Sequence, residues 1–540
     1  MGRGGIPGNR ETPYPRTAIQ ANGGAQVYGW TSTQNWPTVN THTLARFNLV
    51  SLGGTYEKWS DSGRDRELLT TSVKTGSGNG RPPSSVTPLV FYYQILGQTL
   101  KTTPLVPTTL GGAVTAAAND SYPTYSTMVG AWNWWGYQAG PNQTTHYAPT
   151  LTQGSALDID NFGASPVLYT YDYVNGNPWA GRNSAGEGPY EFGAKYSVYK
   201  LLSKNRALDS RFSGLNAGLG SPSADGVFFD NIFRWPNQSD GGSQNGLNYQ
   251  IDGNRDGTTD TQAGYDDPPA DYYSAGDFIK YAQVQVTASL LGRAKTYNIG
   301  NFQQYAWSVS SGVAPYDMNQ VLHGGLIESY FGLSSSPDHF TTTANIIGKV
   351  QTAIGRCQSP KLVWIGCRWP TSDPGVPHDG LFPNANMTIG STSYYQYFRY
   401  CAAFCAVQGA YCAWNSLAYG YGAGDTISEI EWFDEYDNAG SASGWLGHPV
   451  AGPTGAVGGY LIANGVYARE FDNGLVLWNP PNNPVTTLTA AQLGGSGKWK
   501  HLSGTQVPSV NDGSVVTTSV TLGTKDGSGS SRDGLFLIRV

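Results

Sequence analysis

From Leu44 onward the chain alternates between short apolar runs and longer polar stretches. The runs are residues 45–51 (ARFNLVS), 88–93 (PLVFYY), 156–160 (ALDID), 226–230 (GVFFD), 295–299 (KTYNI), 325–329 (GLIES), 361–366 (KLVWIG) and 410–415 (AYCAWN). Each ends in a polar turn. Within a run the hydrophobicity is close to continuous, the pattern of a parallel strand buried on both faces rather than of a strand with one wet side. Between the later runs, apolar residues return at helical spacing. Phe278, Ala282, Val286 and Leu290 stop at Gly292, Ile346, Val350 and Ile354 stop at Gly355, and Tyr394, Phe398, Cys401 and Cys405 make a third stripe. Strands alternating with helices predict βαβ units, and eight such runs predict an α/β fold of the TIM type, a closed (β/α)8 barrel. The rival is an open doubly wound sheet, but no GxGxxG follows any run.

The flanks read differently. Residues 1–40 are rich in Gly, Pro, Asn and Thr without periodicity, which predicts an irregular N-terminal arm. Toward the C-terminus, residues 459–461, 467–471, 474–478, 515–522 and 534–540 are short and β-branched or aromatic, separated by Asp-Asn-Gly, Pro-Pro-Asn-Asn-Pro and Lys-Asp-Gly turns. The expected organisation is an arm over 1–40, a catalytic barrel with long loop insertions over 41–454, and a C-terminal all-β sandwich domain over 455–540.

Composition narrows the ligand. Charged residues make up 13% of the 540-residue chain, against a usual share of about 25%, so Ser, Thr, Asn, Gln and Tyr must cover the surface. Such a surface suits partners bound by stacking and neutral hydrogen bonds. A net charge of −6 gives no basic footprint for nucleic acid. No apolar run reaches the roughly 18 residues of a membrane span, and the opening MGRGGIPGNRETPYP lacks a signal-peptide core. The expectation is an extracellular or virion-associated protein, with the arm available for virion or homo-oligomer assembly. The cysteines are Cys357, Cys367, Cys401, Cys405 and Cys412. Cys401 and Cys405 lie one helical turn apart with nearly parallel side chains, a poor geometry for a bridge, so buried unpaired thiols are expected. No His or second CxxC stands at ligand spacing for a metal.

In a barrel the chemistry sits at the C-terminal ends of the strands, so an ionisable residue that closes an apolar run is the first to inspect. In ADGVFFDNIFRW, Asp230 follows Val227, Phe228 and Phe229, with Asn231, Arg234 and Trp235 behind it; in HGGLIESYFG, Glu328 follows Leu326 and Ile327, ahead of Tyr330 and Phe331. Cleaving a glycosidic bond requires one carboxylate as nucleophile or base and one carboxylic acid to protonate the leaving oxygen, and ends of a fourth and a sixth strand are expected to face each other across the mouth. Structural roles are open for both: Asp230 as an Asx-turn or N-cap residue, Glu328 as the ion-pair partner of Arg368. Asp225, at the start of its run, belongs to the bottom face and reads as structural. The segment ADGVFFDN resembles the fourth-strand signature of glycoside hydrolase-like family fifteen, related to the α-galactosidase and α-amylase superfamily. The similarity extends more weakly through the later strands to Arg469-Glu-Phe-Asp-Asn-Gly-Leu-Val-Leu-Trp-Asn-Pro480 and to Asp533-Gly-Leu-Phe-Leu-Ile-Arg539, covering residues 40–540. The resemblance implies a glycosidase with Asp230 as nucleophile, Glu328 as acid/base, and a retaining outcome.

Aromatic residues supply the substrate-binding candidates, because their faces stack on sugar rings. Trp132, Trp134, Trp135 and Tyr137 cluster in AWNWWGYQAG, where a small core under a loop is the alternative. Asn231, Trp235, Tyr330, Arg368, Trp369, Trp414 and Asn415 stand at or past strand ends, and Tyr171, Asp172, Tyr173 and Trp179 lie in a long insertion. Glu431 and Asp434, in EIEWFDE, are reserve carboxylates. Asp252, Asn254, Asp256 and Asp260 have the spacing of a calcium loop with Gly257 at the sharp turn, but Ala263 stands where a bidentate Glu is required. A structural Ca2+ and a solvated Asx-rich turn both fit that segment, and no other cofactor is expected. The leading expectation is a glycosidase acting on a polysaccharide or oligosaccharide. A non-catalytic carbohydrate-binding or phage-tail adhesion protein on the same scaffold is the alternative; a polysaccharide lyase lacks the Arg/Lys cluster that uronates would demand.

Overall fold

The computed structural model describes residues 12–21, 44–52, 73–74, 87–95, 98–100, 167–169, 225–230, 297–301, 322–331, 342–368, 392–415, 432–450, 459–481, 483–523 and 532–540. Eight strands form one sheet: β1 (Ala18–Ala21), β2 (Leu49–Leu52), β3 (Leu89–Ile95), β4 (Gly226–Asp230), β5 (Tyr297–Asn301), β6 (Gly324–Phe331), β7 (Leu362–Arg368) and β8 (Tyr411–Asn415). Their spatial order is their chain order, and every neighbouring pair is parallel. Residues 98–100 and 167–169 make a separate antiparallel pair.

The sheet is strongly curled. One apolar cluster draws Ala18, Leu49, Phe91, Phe228, Ile299, Leu326, Trp364 and Ala413 from all eight strands. Phe228 and Trp364 meet edge-to-face with ring centroids 5.4 Å apart, although β4 and β7 are three strand spacings apart, about 14 Å on a flat sheet. At the two edges, Thr17 forms an isolated parallel bridge with Cys412, and Cys412 N–H donates to Arg16 O at 2.8 Å.

Two expectations change here. The segment expected to be an irregular arm contributes β1, and Tyr14 beside it exchanges backbone hydrogen bonds with Gly447 and Leu446. Run 156–160 lies outside the described residues, and the place expected for it is taken, because β3 pairs directly with β4, Phe91 against Gly226 and Ile95 against Asp230. Asp230 and Glu328 therefore remain on the fourth and sixth strands, but β1 completes the count.

Helix α1 (Thr343–Arg356) follows β6, capped by Thr342 Oγ1, and buries Ile346, Val350, Ala353 and Ile354. Helix α2 (Thr392–Gln408) links β7 to β8 and is buried on nearly every side, as expected of a helix with two partners rather than one. Its second partner is the C-terminal sheet, antiparallel in the order β9 (Tyr460–Ala463), β10 (Val466–Phe471), β11 (Gly474–Asn479), β15 (Asp533–Arg539), β13 (Trp499–His501). A second antiparallel pair, β12 (Thr486–Thr489) with β14 (Ser519–Leu522), shares its apolar core through Leu488, Val520 and Leu522.

The α2 interface is close. A Cβ on Gly534 would stand 2.2 Å from Arg399 O and 2.5 Å from Ala403 Cβ, so only glycine lets β15 approach the helix. Arg399 donates to Gly534 O at 3.2 Å and pairs with Asp533 at 3.1 Å. Burial raises the Asp533 carboxyl above its ordinary range, although Arg399 opposes the shift. Arg469 donates to Ala406 O and Val407 O, satisfying carbonyls of the last helical turn.

Candidate active site

The starts of the strands serve stability. Asp225, directly before β4, is sealed from solvent, and its Oδ2 lies 2.7 Å from the buried Lys74 Nζ. The same oxygen accepts from Val90 N at 2.7 Å. Its backbone N–H donates to Val90 O, and its carbonyl accepts from Tyr297 N. One residue thus ties β3, β4 and β5 together at their beginnings, the structural role expected of it. Nearby, Tyr297 packs edge-on to His323. Burial, reinforced by Asp225 and Tyr411, pushes its phenol up to about 12.

The C-terminal ends have a different character. Every second residue of a strand shares a face, and two positions beyond members of the inner cluster the chain is polar on strand after strand. Ser51 follows Leu49, Asp230 follows Phe228, Asn301 follows Ile299, Glu328 follows Leu326, Asn415 follows Ala413, and Arg368 stands four beyond Trp364. Ser51 Oγ is buried and has no hydrogen-bond partner among the described residues. A parallel sheet gathers all these ends on one side. Sequence reasoning missed Ser51 and Asn301, which the same period of two would have found once the inward set was known.

Asp230 is the last residue of β4. Glu328 sits in β6 where pairing with β7 leaves register: Ile327 opposes Ile365, and the next paired residues are Phe331 and Cys367. Three residues of β6 therefore stand opposite one of β7, a bulge of the kind that re-aims strands beside functional sites. Only β5 separates β4 from β6, so the two backbones are about 10 Å apart. They are second neighbours on one side of the sheet, not opposed across it.

The bulge also corrects the reading of Tyr330. It is buried, donates from its hydroxyl to Ile346 O at 2.6 Å, and stacks on Phe404, while the adjacent Phe331 meets Phe404 edge-on. Consecutive residues normally face opposite ways in a strand; here both turn to the helices, and Tyr330 is a packing residue. Trp414 is corrected for a simpler reason. Tyr411 and Ala413 belong to the inner cluster, so Trp414 falls on the helix side, where its Nε1 donates to Tyr394 Oη at 3.1 Å and its ring packs edge-on to Phe398. Among the described residues, both side chains pack on the helix side of the sheet.

The reserve carboxylate Asp434 is likewise structural: its Oδ2 accepts from Thr505 N and Gln506 N. Its neighbour Glu435 is buried, which raises its carboxyl, and accepts from Asn511 Nδ2 at 3.0 Å. Trp132, Trp134, Trp135, Tyr137, Tyr171, Asp172, Tyr173, Trp179, Asn231, Trp235, Trp369, Glu431 and the loop with Asp252, Asn254, Asp256 and Asp260 lie outside the described residues. All five cysteines are buried and none is in a disulfide, as expected, and the Sγ atoms of Cys367, Cys405 and Cys412 all lie within 4.8 Å of one another. No helix among the described residues is long and apolar enough to cross a membrane.

No family model and no curated protein matches the chain. Among solved structures, the chain is similar to a noncanonic maltogenic alpha-amylase AmyB from Thermotoga neapolitana, at 9% identity and a TM-score of 0.40, over 97% of this chain and 98% of that one. At that level the likeness adds nothing to the chemistry, which rests on the strand ends.

Proposed function

We propose that the curled sheet is a closed (β/α)8 barrel and that the protein is a retaining glycoside hydrolase, with Asp230 as nucleophile and Glu328 as acid/base. The observation that carries the reading is the asymmetry of the sheet. Its strand starts are locked by Asp225, Lys74 and Tyr297, whereas the sequence at its ends carries the polar residues Asp230, Asn301, Glu328, Arg368 and Asn415 beyond an apolar interior. Barrel enzymes keep their chemistry at those ends. The substrate class that fits is a neutral extracellular or cell-surface polysaccharide, bound by stacking in a protein of low charge, with an extracellular or virion-borne setting.

In the first step the Asp230 carboxylate attacks the anomeric carbon while Glu328 gives its proton to the departing glycosidic oxygen. In the second, Glu328 takes a proton from water, which displaces Asp230 and releases the sugar with its original anomeric configuration. Two strand spacings, about 10 Å, separate the backbones. That span accommodates the roughly 5–5.5 Å carboxylate separation of retention and also the roughly 6.5–9.5 Å of inversion; retention follows from the family resemblance.

The test is a panel of neutral polysaccharides with reducing-end detection, followed by Asp230→Asn and Glu328→Gln. Each substitution should cut kcat by several orders of magnitude, with an unchanged circular dichroism spectrum and melting temperature. NMR of the first product should show the anomer of the substrate. Full turnover by the folded Asp230→Asn protein would overturn the assignment. Glycan binding without product at any enzyme concentration, indifferent to Asp230→Asn, would instead establish the binding-protein reading.

A further inference from the structure

We propose that Cys367, Cys405, Cys412 and Cys401 form a closed tetrahedral site for one structural Zn2+, between the last two strands of the sheet and α2. Each thiol arrives there because of the fold rather than a local motif. Leu362 and Trp364 belong to the inner cluster, so the period of two sets Cys367 on the helix side of β7; Tyr411 and Ala413 do the same for Cys412 on β8. The parallel register pairs Cys367 with Trp414 and Ile365 with Cys412, which makes the two cysteines diagonal neighbours. Cys401 and Cys405 stand one turn apart on α2, the helix that covers this face.

Three of the four sulfurs already stand close to metal-ligand spacing. The three Sγ atoms are mutually within 4.8 Å, and ligands on a tetrahedral zinc with bonds of about 2.3 Å sit about 3.8 Å apart. Cys401, one turn before Cys405 on α2, lies outside this three-sulfur group, and in the proposal its side chain turns in to supply the fourth sulfur. The Tyr436 hydroxyl donates to Cys412 Sγ at 3.6 Å, a hydrogen bond from outside the ligand set of the kind that steadies thiolate ligands. Cys357, at the end of α1, is on a different element from the three-sulfur group. Thiolates select soft cations such as zinc and copper(I). Four thiolates leave a net charge of −2 with Zn2+ and −3 with copper(I), and the smaller buried charge favours zinc. Because the site is sealed, the ion enters as the chain folds.

The experiment is to refold or express the full chain with zinc present, remove loose metal by chelator and gel filtration, and measure metal content by mass spectrometry alongside thiols titrated after denaturation. The expected result is about one zinc per chain, held against chelator in the folded protein and released on unfolding, with all cysteines then titrating as thiols. Cys357→Ala should keep the zinc, and Cys405→Ala should lose it. Refolding with Co2+ should give the intense thiolate-to-cobalt charge-transfer absorption of a sulfur-rich site. A wild-type chain that refolds with zinc present but carries no metal, or copper alone, or a disulfide among these cysteines, would overturn the proposal whatever the variants do.

Discussion

Gly534→Ala is the sharpest test of how the C-terminal sheet joins the rest of the molecule. The added Cβ would stand 2.2 Å from Arg399 O and 2.5 Å from Ala403 Cβ, against the roughly 3.5–4.0 Å at which atoms attract. Both obstacles belong to α2, which is held between two sheets, so neither can rotate away. The strand and helix must instead separate by about 1 Å, at an overpacking cost of about 1–3 kcal/mol. The same movement stretches the Arg399–Gly534 hydrogen bond at 3.2 Å and the buried Arg399–Asp533 pair at 3.1 Å, and a weakened buried ion pair adds to the loss. A total near 3 kcal/mol follows, which lowers the urea midpoint by on the order of 1 M. Tryptophan fluorescence is a suitable probe, since Trp478 lies in this interface against Tyr400 and Phe404. Gly348→Ala is the matched control: that glycine is in the middle of α1 with nothing near its missing Cβ, so the same chemical change should stabilise by about 0.5–1 kcal/mol. If Gly534→Ala unfolds at the wild-type midpoint while Gly348→Ala rises, α2 does not pack on β15 as described.

Lys74→Met should destabilise by about 3–5 kcal/mol, because it strands the buried Asp225 carboxylate; Lys74→Met/Asp225→Asn should recover part of that loss in urea titrations, and no recovery would refute the pairing. Tyr297 has a folded-state phenol near 12 against an ordinary 10.0, so its contribution is fully present below pH 10 and is lost as pH rises through 12. Urea midpoints measured across that window should fall more steeply for wild type than for Tyr297→Phe; equal slopes would remove the effect. In the loop outside the described residues, Trp134→Ala should raise KM for polymer much more than for a short substrate, leaving kcat nearly intact. An equal change for both substrates would place Trp134 elsewhere than in a distal subsite.

Much of the sheet was legible because parallel strands buried on both faces write themselves as continuous apolar runs, and 226–230 coincides with β4 to the residue. Strand β1 was not, since AIQA is four residues long with a polar third position; only its neighbours β2 and β8 give it a reason to be extended. Run 156–160 looked equally strand-like, yet the direct pairing of Phe91 with Gly226 leaves no place for it between β3 and β4. Among candidate site residues, the helix-side position of Trp414 follows from parity once Ala413 is known to face inward. That of Tyr330 does not, because a bulge has no hydrophobic signature and reverses the face of whatever follows it. The cysteine cluster was invisible for a related reason: its members meet through strand register and helix docking, and no sequence spacing records that.

Helix α2 is where the βαβ pattern meets the antiparallel sheet that begins near residue 460. One side of the helix carries Phe398 against Trp414 and Cys405 toward Cys367 and Cys412, which fixes the last βαβ unit. Another carries Phe404 against Trp478 and Arg399 against Asp533, which fixes the antiparallel sheet. A helix with a single partner would leave a polar stripe for water, but α2 buries Tyr394, Tyr397, Phe398, Tyr400, Phe404 and Val407 around its circumference. Removing the C-terminal sheet would therefore expose a large apolar surface and leave Arg399 without its carboxylate. The β6 bulge leans on the same helix through Tyr330 and Phe331, and Glu328 sits within that bulge. The position of the proposed acid/base along its strand thus depends on packing that the C-terminal sheet completes, so a structural element far along the chain from the strand ends is coupled to them through one buried helix.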